Sequence, residues 1–155
     1  MPTEKYILPD RAAWLDARKN HIGGSDAAAC VGRSPHKDNV QLWEEKMGLV
    51  LPEDISDKEY VRYGTEAEKY LRGLFALDFP EYQVLYDENN MFLNPDFPWM
   101  HASLDGELMD RQGRHGILEI KTTNILQSSQ RRNWEGRIPD NYYCQVLHYL
   151  AVTEY

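Results

Sequence analysis

Met100-His101-Ala102-Ser103-Leu104-Asp105-Gly106 and Gly116-Ile117-Leu118-Glu119-Ile120-Lys121 are the stretches on which the reading of this chain turns. Met100 to Leu104 and Gly116 to Lys121 are short apolar runs, and Asp-Gly and Gln-Gly signals stand between them; that punctuation predicts two neighbouring strands. A strand alternates its faces, so Glu119 and Lys121 share one side and Leu118 and Ile120 the other. Asp105 stands fourteen residues before Glu119. If the two strands pair antiparallel, the two carboxylates converge.

Working outward, Gln83 to Tyr86 and Met91 to Leu93 are further apolar runs with the length of strands. Upstream the pattern is helical. Asp10 suits the N-cap of a helix running to about Arg18, and the Gly23-Gly24 pair breaks the chain before an Ala-rich helix, capped by Ser25 or Asp26, that ends at Gly32. A third helix follows Asp38 and ends at Gly48. A long one covers roughly Glu59 to Leu77, with Val61, Ala67, Leu71, Leu74 and Phe75 on its apolar side. Downstream, Thr122 to Arg137 is polar. Pro139 then suits the first turn of a helix reaching about Val152, whose apolar stripe is Tyr142, Tyr143, Val146, Leu147 and Leu150. The expected class is α/β or α+β, a mixed central sheet flanked by helices.

With 155 residues and 42% apolar composition, the chain fits one domain, residues 1–155. It has no apolar run of membrane-spanning length and no leader-like start, so a soluble, cytoplasmic protein with no membrane partner is expected. Cys30 and Cys144 are far apart in helical segments and read as buried, reduced thiols. The five histidines lack ligand-like spacing, which argues against zinc.

The formal net charge of −8 disfavours a polyanion-binding surface at first sight. The charge is unevenly spread. Asp78 to Asp110 holds eight acids and no Lys or Arg, so this stretch alone accounts for the excess. Arg114 to Arg137 holds five bases and two acids, a segment that DNA could approach.

Asp105 and Glu119 together make an oxygen site suited to Mg²⁺ or Mn²⁺, with the Ile120 carbonyl and waters filling the coordination shell. Lys121 would stabilise charge growing on a phosphate under attack. Alone, an E-x-K strand is a common half-exposed ion pair, and Asp-Gly is a common hairpin turn. Glu66 and Glu68, on the long helix, could reach the site or could simply form a solvated face with Lys69 and Arg72. Gln145 borders the last helix's stripe beside Tyr149, where it could bind water or phosphate or merely pack. Arg18 and Ser25 flank the glycine pair. They could hold a phosphate, or Ser25 could cap its helix while Arg18 complements a helix dipole.

Several motifs lie in one register. Ile22-Gly23-Gly24-Ser25-Asp26-Ala27-Ala28, Gly32-Arg33-Ser34-Pro35-His36-Lys37 and Leu42-Trp43-Glu44-Glu45-Lys46 resemble the opening of YqaJ-type recombinases. Gly64 to Glu68, Ser103 to Gly106, Leu118 to Thr122 and Tyr142 to Tyr149 resemble that family's later blocks, in the same order.

The resemblance implies a PD-(D/E)xK nuclease with a restriction-endonuclease-like core. It implies 5′-to-3′ digestion of linear double-stranded DNA from its ends, leaving a 3′ strand for a single-strand annealing protein in phage-type recombination. By the same resemblance Asp105, Glu119 and Glu68 bind the metal, Lys121 is the catalytic lysine, and Gln145 and Tyr142 serve the site. Arg18 and Ser25 match the 5′-phosphate grip of lambda exonuclease-like enzymes, and Glu66 has a weaker claim than Glu68. Relatives usually continue past the glutamine helix with further sheet and helix elements, so the expectation is either a fragment or a minimal domain, and a ring-shaped homo-oligomer is left open with it. Two rivals remain at this level. One is a structure-specific or Cas4-like nuclease of the same core, disfavoured by the lack of a four-cysteine cluster. The other is an inactive acidic domain that binds a protein partner.

Overall fold

A computed structural model describes residues 2–124 and 126–155. Its described elements run β1 (Glu4–Ile7), α1 (Arg11–Lys19), α2 (Gly24–Cys30), α3 (Asn39–Lys46), α4 (Glu59–Asp78), β2 (Gln83–Leu85), β3 (Asn90–Leu93), β4 (His101–Ala102), β5 (Gly106–Met109), β6 (His115–Leu118), α5 (Ser128–Trp134) and α6 (Asp140–Thr153). The class is mixed α+β, as expected. The strands divide into two antiparallel three-stranded sheets, ordered β1-β3-β4 and β2-β5-β6. A parallel bridge between Ile22 and Met100 ties the glycine turn to the first sheet.

The helix starts follow local chemistry. The Asp10 carboxylate accepts from the Ala13 N–H at 2.8 Å, and Asp38 does the same for Gln41 at 2.8 Å while the Gln41 side chain accepts from the Asp38 N–H. At α2 the cap residue is Gly23, whose N–H donates to the Asp26 carboxylate at 3.0 Å. Asp26 also pairs with Lys46 at 2.9 Å. Ser25 is thereby released from capping, and its hydroxyl is turned to other use.

Four elements depart from the sequence reading. Asp105-Gly106 is not the hairpin turn: Gly106 opens β5, and the turn lies at Asp110 to Arg114, where Gly113 has φ +77°. β5 was hidden because Gly-Glu-Leu-Met carries no β-branched or aromatic residue. β1 and α5 were likewise unmarked by periodicity. Finally, the buried face of α6 is Gln145, His148, Tyr149, Val152 and Thr153, whereas Tyr143, Leu147 and Leu150 are 54%, 47% and 37% exposed. The apolar stripe expected there was turned toward the wrong side. The true face is polar in part and each polar group on it is bonded, so hydrophobicity alone misplaced it.

The core lies between that face and the first sheet: Phe92, Ala102, Leu104, Tyr149 and Val152, with Met100, Ile117 and Tyr155 packed against it. α2 packs closely along α6. Gly24 makes the approach possible, because a Cβ there would fall 2.3 Å from Tyr149 Cε1. Neither thiol is paired, and Cys30 is exposed rather than buried, since α2 turns its alanines and not its last residue toward α6.

The acidic stretch from Asp78 to Asp110 is not a free acidic face. Lys5 bridges Asp87 and the buried Glu107, Tyr155 donates to Glu107 at 2.7 Å, and Arg114 pairs with Asp110 at 2.7 Å. No described helix is long and apolar enough to cross a membrane.

Candidate active-site cleft

The β5–β6 ladder ends at the pair Gly106–Leu118. Beyond it the Asp105 carboxylate takes the place of a backbone acceptor, receiving the Ile120 N–H at 2.8 Å. That bond fixes Asp105 beside the Glu119–Lys121 segment, although regular strand stops at Leu118. The expected convergence of the two carboxylates is therefore realised, through a different strand pair from the one the sequence suggested.

Asp105 is held from behind as well. Arg72 on α4 donates to the Asp105 carbonyl at 2.9 Å and lies over the Tyr86 ring at 3.6 Å. Asn90 brackets the preceding residue: its amide donates to the Leu104 carbonyl at 2.9 Å and its oxygen accepts from the Leu104 N–H at 2.8 Å. Neither Arg72 nor Asn90 was picked out from sequence. Arg72 was read as part of a solvated helix face, and a buried asparagine bonding two backbone groups leaves no periodic trace.

Glu119 has a side chain only 8% exposed. Its Oε1 pairs with the Lys121 ammonium and accepts from Gln145 Nε2 at 2.7 Å, while Oε2 is buried without a hydrogen-bond partner. Burial, with Asp105 and Glu68 adding like charge, pushes the Glu119 carboxyl up to about 7 against the opposing pull of Lys121. Burial raises Asp105 too, opposed by the Ile120 N–H and the Lys121 charge. Glu68 is raised by burial and then by Asp105. Burial thus raises all three carboxyls, and the nearby Lys121 charge opposes the rise in each.

These groups line one cleft of about 350 Å³, together with Arg11, Trp14, Arg18, Ser25, His101 and Tyr149. A second cleft of about 510 Å³ shares Ser25, Thr65, Glu68, Lys121 and Gln145 with the first and continues past Tyr142. Tyr142 stacks on Trp134 at 5.5 Å and lies 5.3 Å from the Lys121 ammonium. Gln145 also donates to the Tyr149 hydroxyl at 2.9 Å. At the rim, Arg18 lies 4.4 Å over the Trp14 ring and donates to the Ser25 hydroxyl at 3.1 Å. Every sequence-predicted site residue except Glu66, Ile120 and Tyr142 lines the first cleft, and Ile120 and Tyr142 line the second. Glu66 is elsewhere, paired with Lys69 at 3.0 Å on the solvent side of α4.

The donor set suits a hard divalent cation. Asp105, Glu119 and the Ile120 carbonyl offer oxygens only, and the unpartnered Glu119 Oε2 is the kind of buried atom that a cation would satisfy. Magnesium is commonly held by one or two carboxylates and keeps several waters. Among the described residues no group of three His, Cys, Asp or Glu side chains is placed to hold a metal, so Glu68 lines the cleft without completing a cluster.

Fold and cleft together define an α+β domain that gathers buried carboxylates, a lysine and a glutamine in one recess, with a cationic rim. The chain belongs to the YqaJ-like viral recombinase domain family, whose model matches residues 13–155. It is 31% identical over 143 residues to the uncharacterized protein YqaJ of Bacillus subtilis (strain 168). That match covers 92% of this chain and 42% of the relative, so the chain spans less than half the length of that curated relative.

Proposed function

We propose that this domain is a magnesium-dependent deoxyribonuclease that degrades linear double-stranded DNA from its 5′ ends, exposing a 3′ strand for an annealing protein during recombination. The observation that carries the proposal is the buried Asp105–Glu119 pair with Lys121 and Gln145 on the same Glu119 oxygen. Membership of a viral recombinase family supports the setting.

Asp105, Glu119 and the Ile120 carbonyl would hold Mg²⁺, with Mn²⁺ as a substitute. Bound there, the ion supplies Lewis-acid polarisation of a phosphate and activation of water. The rest of the work falls to the chain. Gln145 restrains Glu119 by donating to Oε1, which leaves Oε2 as the oxygen that would ligate the ion. Lys121 places a positive charge beside the carboxylates, where negative charge would grow on the phosphate oxygens. Glu68 walls the cleft from α4, with its raised affinity for a proton. Arg18 and Ser25 would hold the 5′-phosphate of the terminal nucleotide at the rim.

The test is release of acid-soluble nucleotides from linear duplex DNA in Mg²⁺ and in chelator. Release should require Mg²⁺ and fall by at least about a hundredfold in Glu119→Ala and Lys121→Ala. Both variants must keep the wild-type circular dichroism spectrum. Undiminished digestion by either variant sinks the assignment of the site.

A further inference from the structure

α1 turns one stripe of side chains into the first cleft: Arg11, Trp14 and Arg18, spaced three and four residues apart and therefore on one face of the helix. The ring in the middle is fixed, because the Trp14 indole N–H donates to the Asn90 carbonyl and to the Ser103 hydroxyl, each at 3.1 Å. Both guanidinium groups lie over that ring, Arg18 at 4.4 Å and Arg11 at 5.5 Å from its centre. The two ends of the stripe meet different neighbours. Arg18 reaches Ser25 beside the glycine turn, whereas the charge of Arg11 is felt by Glu68 of α4.

The other cations at the site are engaged: Lys121 with Glu119, Arg72 with the Asp105 carbonyl, and Arg18 with Ser25. Arg11 is exposed, and among the described residues its guanidinium has neither a hydrogen-bond acceptor nor a carboxylate partner. A guanidinium stacked on a ring keeps the N–H donors of its own plane available to an anion. In a cleft that sets Asp105, Glu119 and Glu68 against an incoming polyanion, such a charge has a use. We propose that Arg11 is a substrate-binding residue that holds an internal phosphodiester of the same DNA strand whose terminal phosphate Arg18 and Ser25 hold. The inference rests on the nuclease reading above and adds a second phosphate contact to it. Arg11 and Arg18 stand about 10 Å apart along the helix axis, so α1 would grip the strand at two points with Trp14 fixed between them.

The two contacts differ in what they recognise. A terminal phosphate exists only on a phosphorylated end, so Arg18 distinguishes one kind of end from the other. An internal phosphodiester is present in every strand, so Arg11 adds affinity without distinguishing ends or sequences. The alternative is that Arg11 merely shields the Trp14 ring from water with its aliphatic stem. Glutamine keeps part of that stem and removes the charge, so Arg11→Gln separates the two roles.

The test is binding of a short fluorescein-labelled duplex to the full chain, followed by anisotropy in Ca²⁺ and titrated with NaCl. Arg11→Gln should weaken binding roughly tenfold at low salt, the value of one hydrogen bond to a charged group, and equally for 5′-phosphate and 5′-hydroxyl ends. It should also reduce the slope of log K against log salt by about 0.7 to 0.9, the signature of one lost phosphate contact. Arg11→Lys should keep the slope, and Arg18→Ala should weaken phosphorylated ends more than hydroxyl ends. Arg111→Gln, in the turn between β5 and β6 and outside both clefts, removes the same charge and should leave the slope alone. An unchanged slope in Arg11→Gln, or an equal fall in Arg111→Gln, overturns the inference, and Mg²⁺-dependent digestion by wild type would then still uphold the nuclease. The expected change in slope without any nucleotide release by wild type would remove the nuclease reading and leave the phosphate contact standing. Wild type that binds no duplex removes both.

Discussion

On the floor of the cleft, Asp105 is half-buried, the Glu119 side chain is almost wholly covered, and one Glu119 oxygen has no hydrogen-bond partner. On the rim, Arg18 lies against Trp14, bonds Ser25, and faces an opening. The floor is arranged at the expense of stability and waits for something positive; the rim is satisfied as it stands and has only to exchange a hydroxyl for a better acceptor. Strain of the first kind concentrates at functional sites. The contrast teaches that the floor should answer strongly to pH and metal and the rim weakly, and each prediction below attacks that difference.

The largest effect belongs to Glu119. In the metal-free protein its carboxyl titrates at about 7, above its ordinary value of 4.5. The folded state therefore binds that proton more tightly than the unfolded state. The group's contribution to stability is fully present below pH 4.5 and is lost as pH rises through 7. His101 works the other way: its folded value of about 3 lies below the ordinary 6.5, so its contribution is present above 6.5 and lost as pH falls. Subtracting the urea-unfolding profile of Glu119→Gln from that of wild type, in chelator between pH 5 and 8, removes the histidine term. The difference should favour Glu119→Gln increasingly toward pH 8. Saturating Mg²⁺ should restore wild type, because a cation replaces the proton. A flat difference would mean that the floor carries no such stress.

Next in size is the close seating of α2 on α6. Gly24→Ala would drive a Cβ against the buried Tyr149 ring and 3.0 Å from Gln145 Cγ, and neither can retreat without disturbing Glu119. A loss of about 1–3 kcal/mol is expected in urea unfolding. Gly73→Ala gives the matched control, since nothing lies within 4 Å of a Cβ there and the residue is inside α4; it should gain up to about 1 kcal/mol. Equal effects would show that α2 and α6 are not in the tight contact on which Gln145 depends.

How much of this was legible in the sequence divides along similar lines. Caps were readable because Asp10 and Asp38 act on neighbours three residues away, and so were α4 and the existence of α6. Asp105, Glu119, Lys121 and Gln145, which line one cleft, were picked out because they come in a familiar order. What was not legible depends on distant partners. The face that α6 buries is set by Glu119 and His101, far away in sequence, which give Gln145 and His148 somewhere to bond. β5 has no propensity of its own and exists because β2 and β6 flank it. Asn90 and Arg72 position Asp105 through backbone atoms, which carry no residue-specific signal.

The smallest expected effect tests the ranking of two glutamates, Glu68 above Glu66, that the sequence resemblance implied. Glu66 and Glu68 are two apart on α4, so a turn of about 200° separates them. Glu68 is the half-buried one, set in the wall of both clefts, with a carboxyl that feels Asp105. Glu66 is 74% exposed and its pair with Lys69 is a surface contact of the kind that contributes less than about 1 kcal/mol. Glu68→Gln should slow magnesium-dependent nucleotide release by roughly tenfold, as expected for one misplaced polar group at a reacting centre. Glu66→Gln should leave the rate within about twofold and the urea midpoint unchanged. The reverse ranking would require α4 to present its other face to the carboxylates, and with it Arg72 would lose its hold on the Asp105 carbonyl; the two substitutions therefore test the orientation of the whole helical wall.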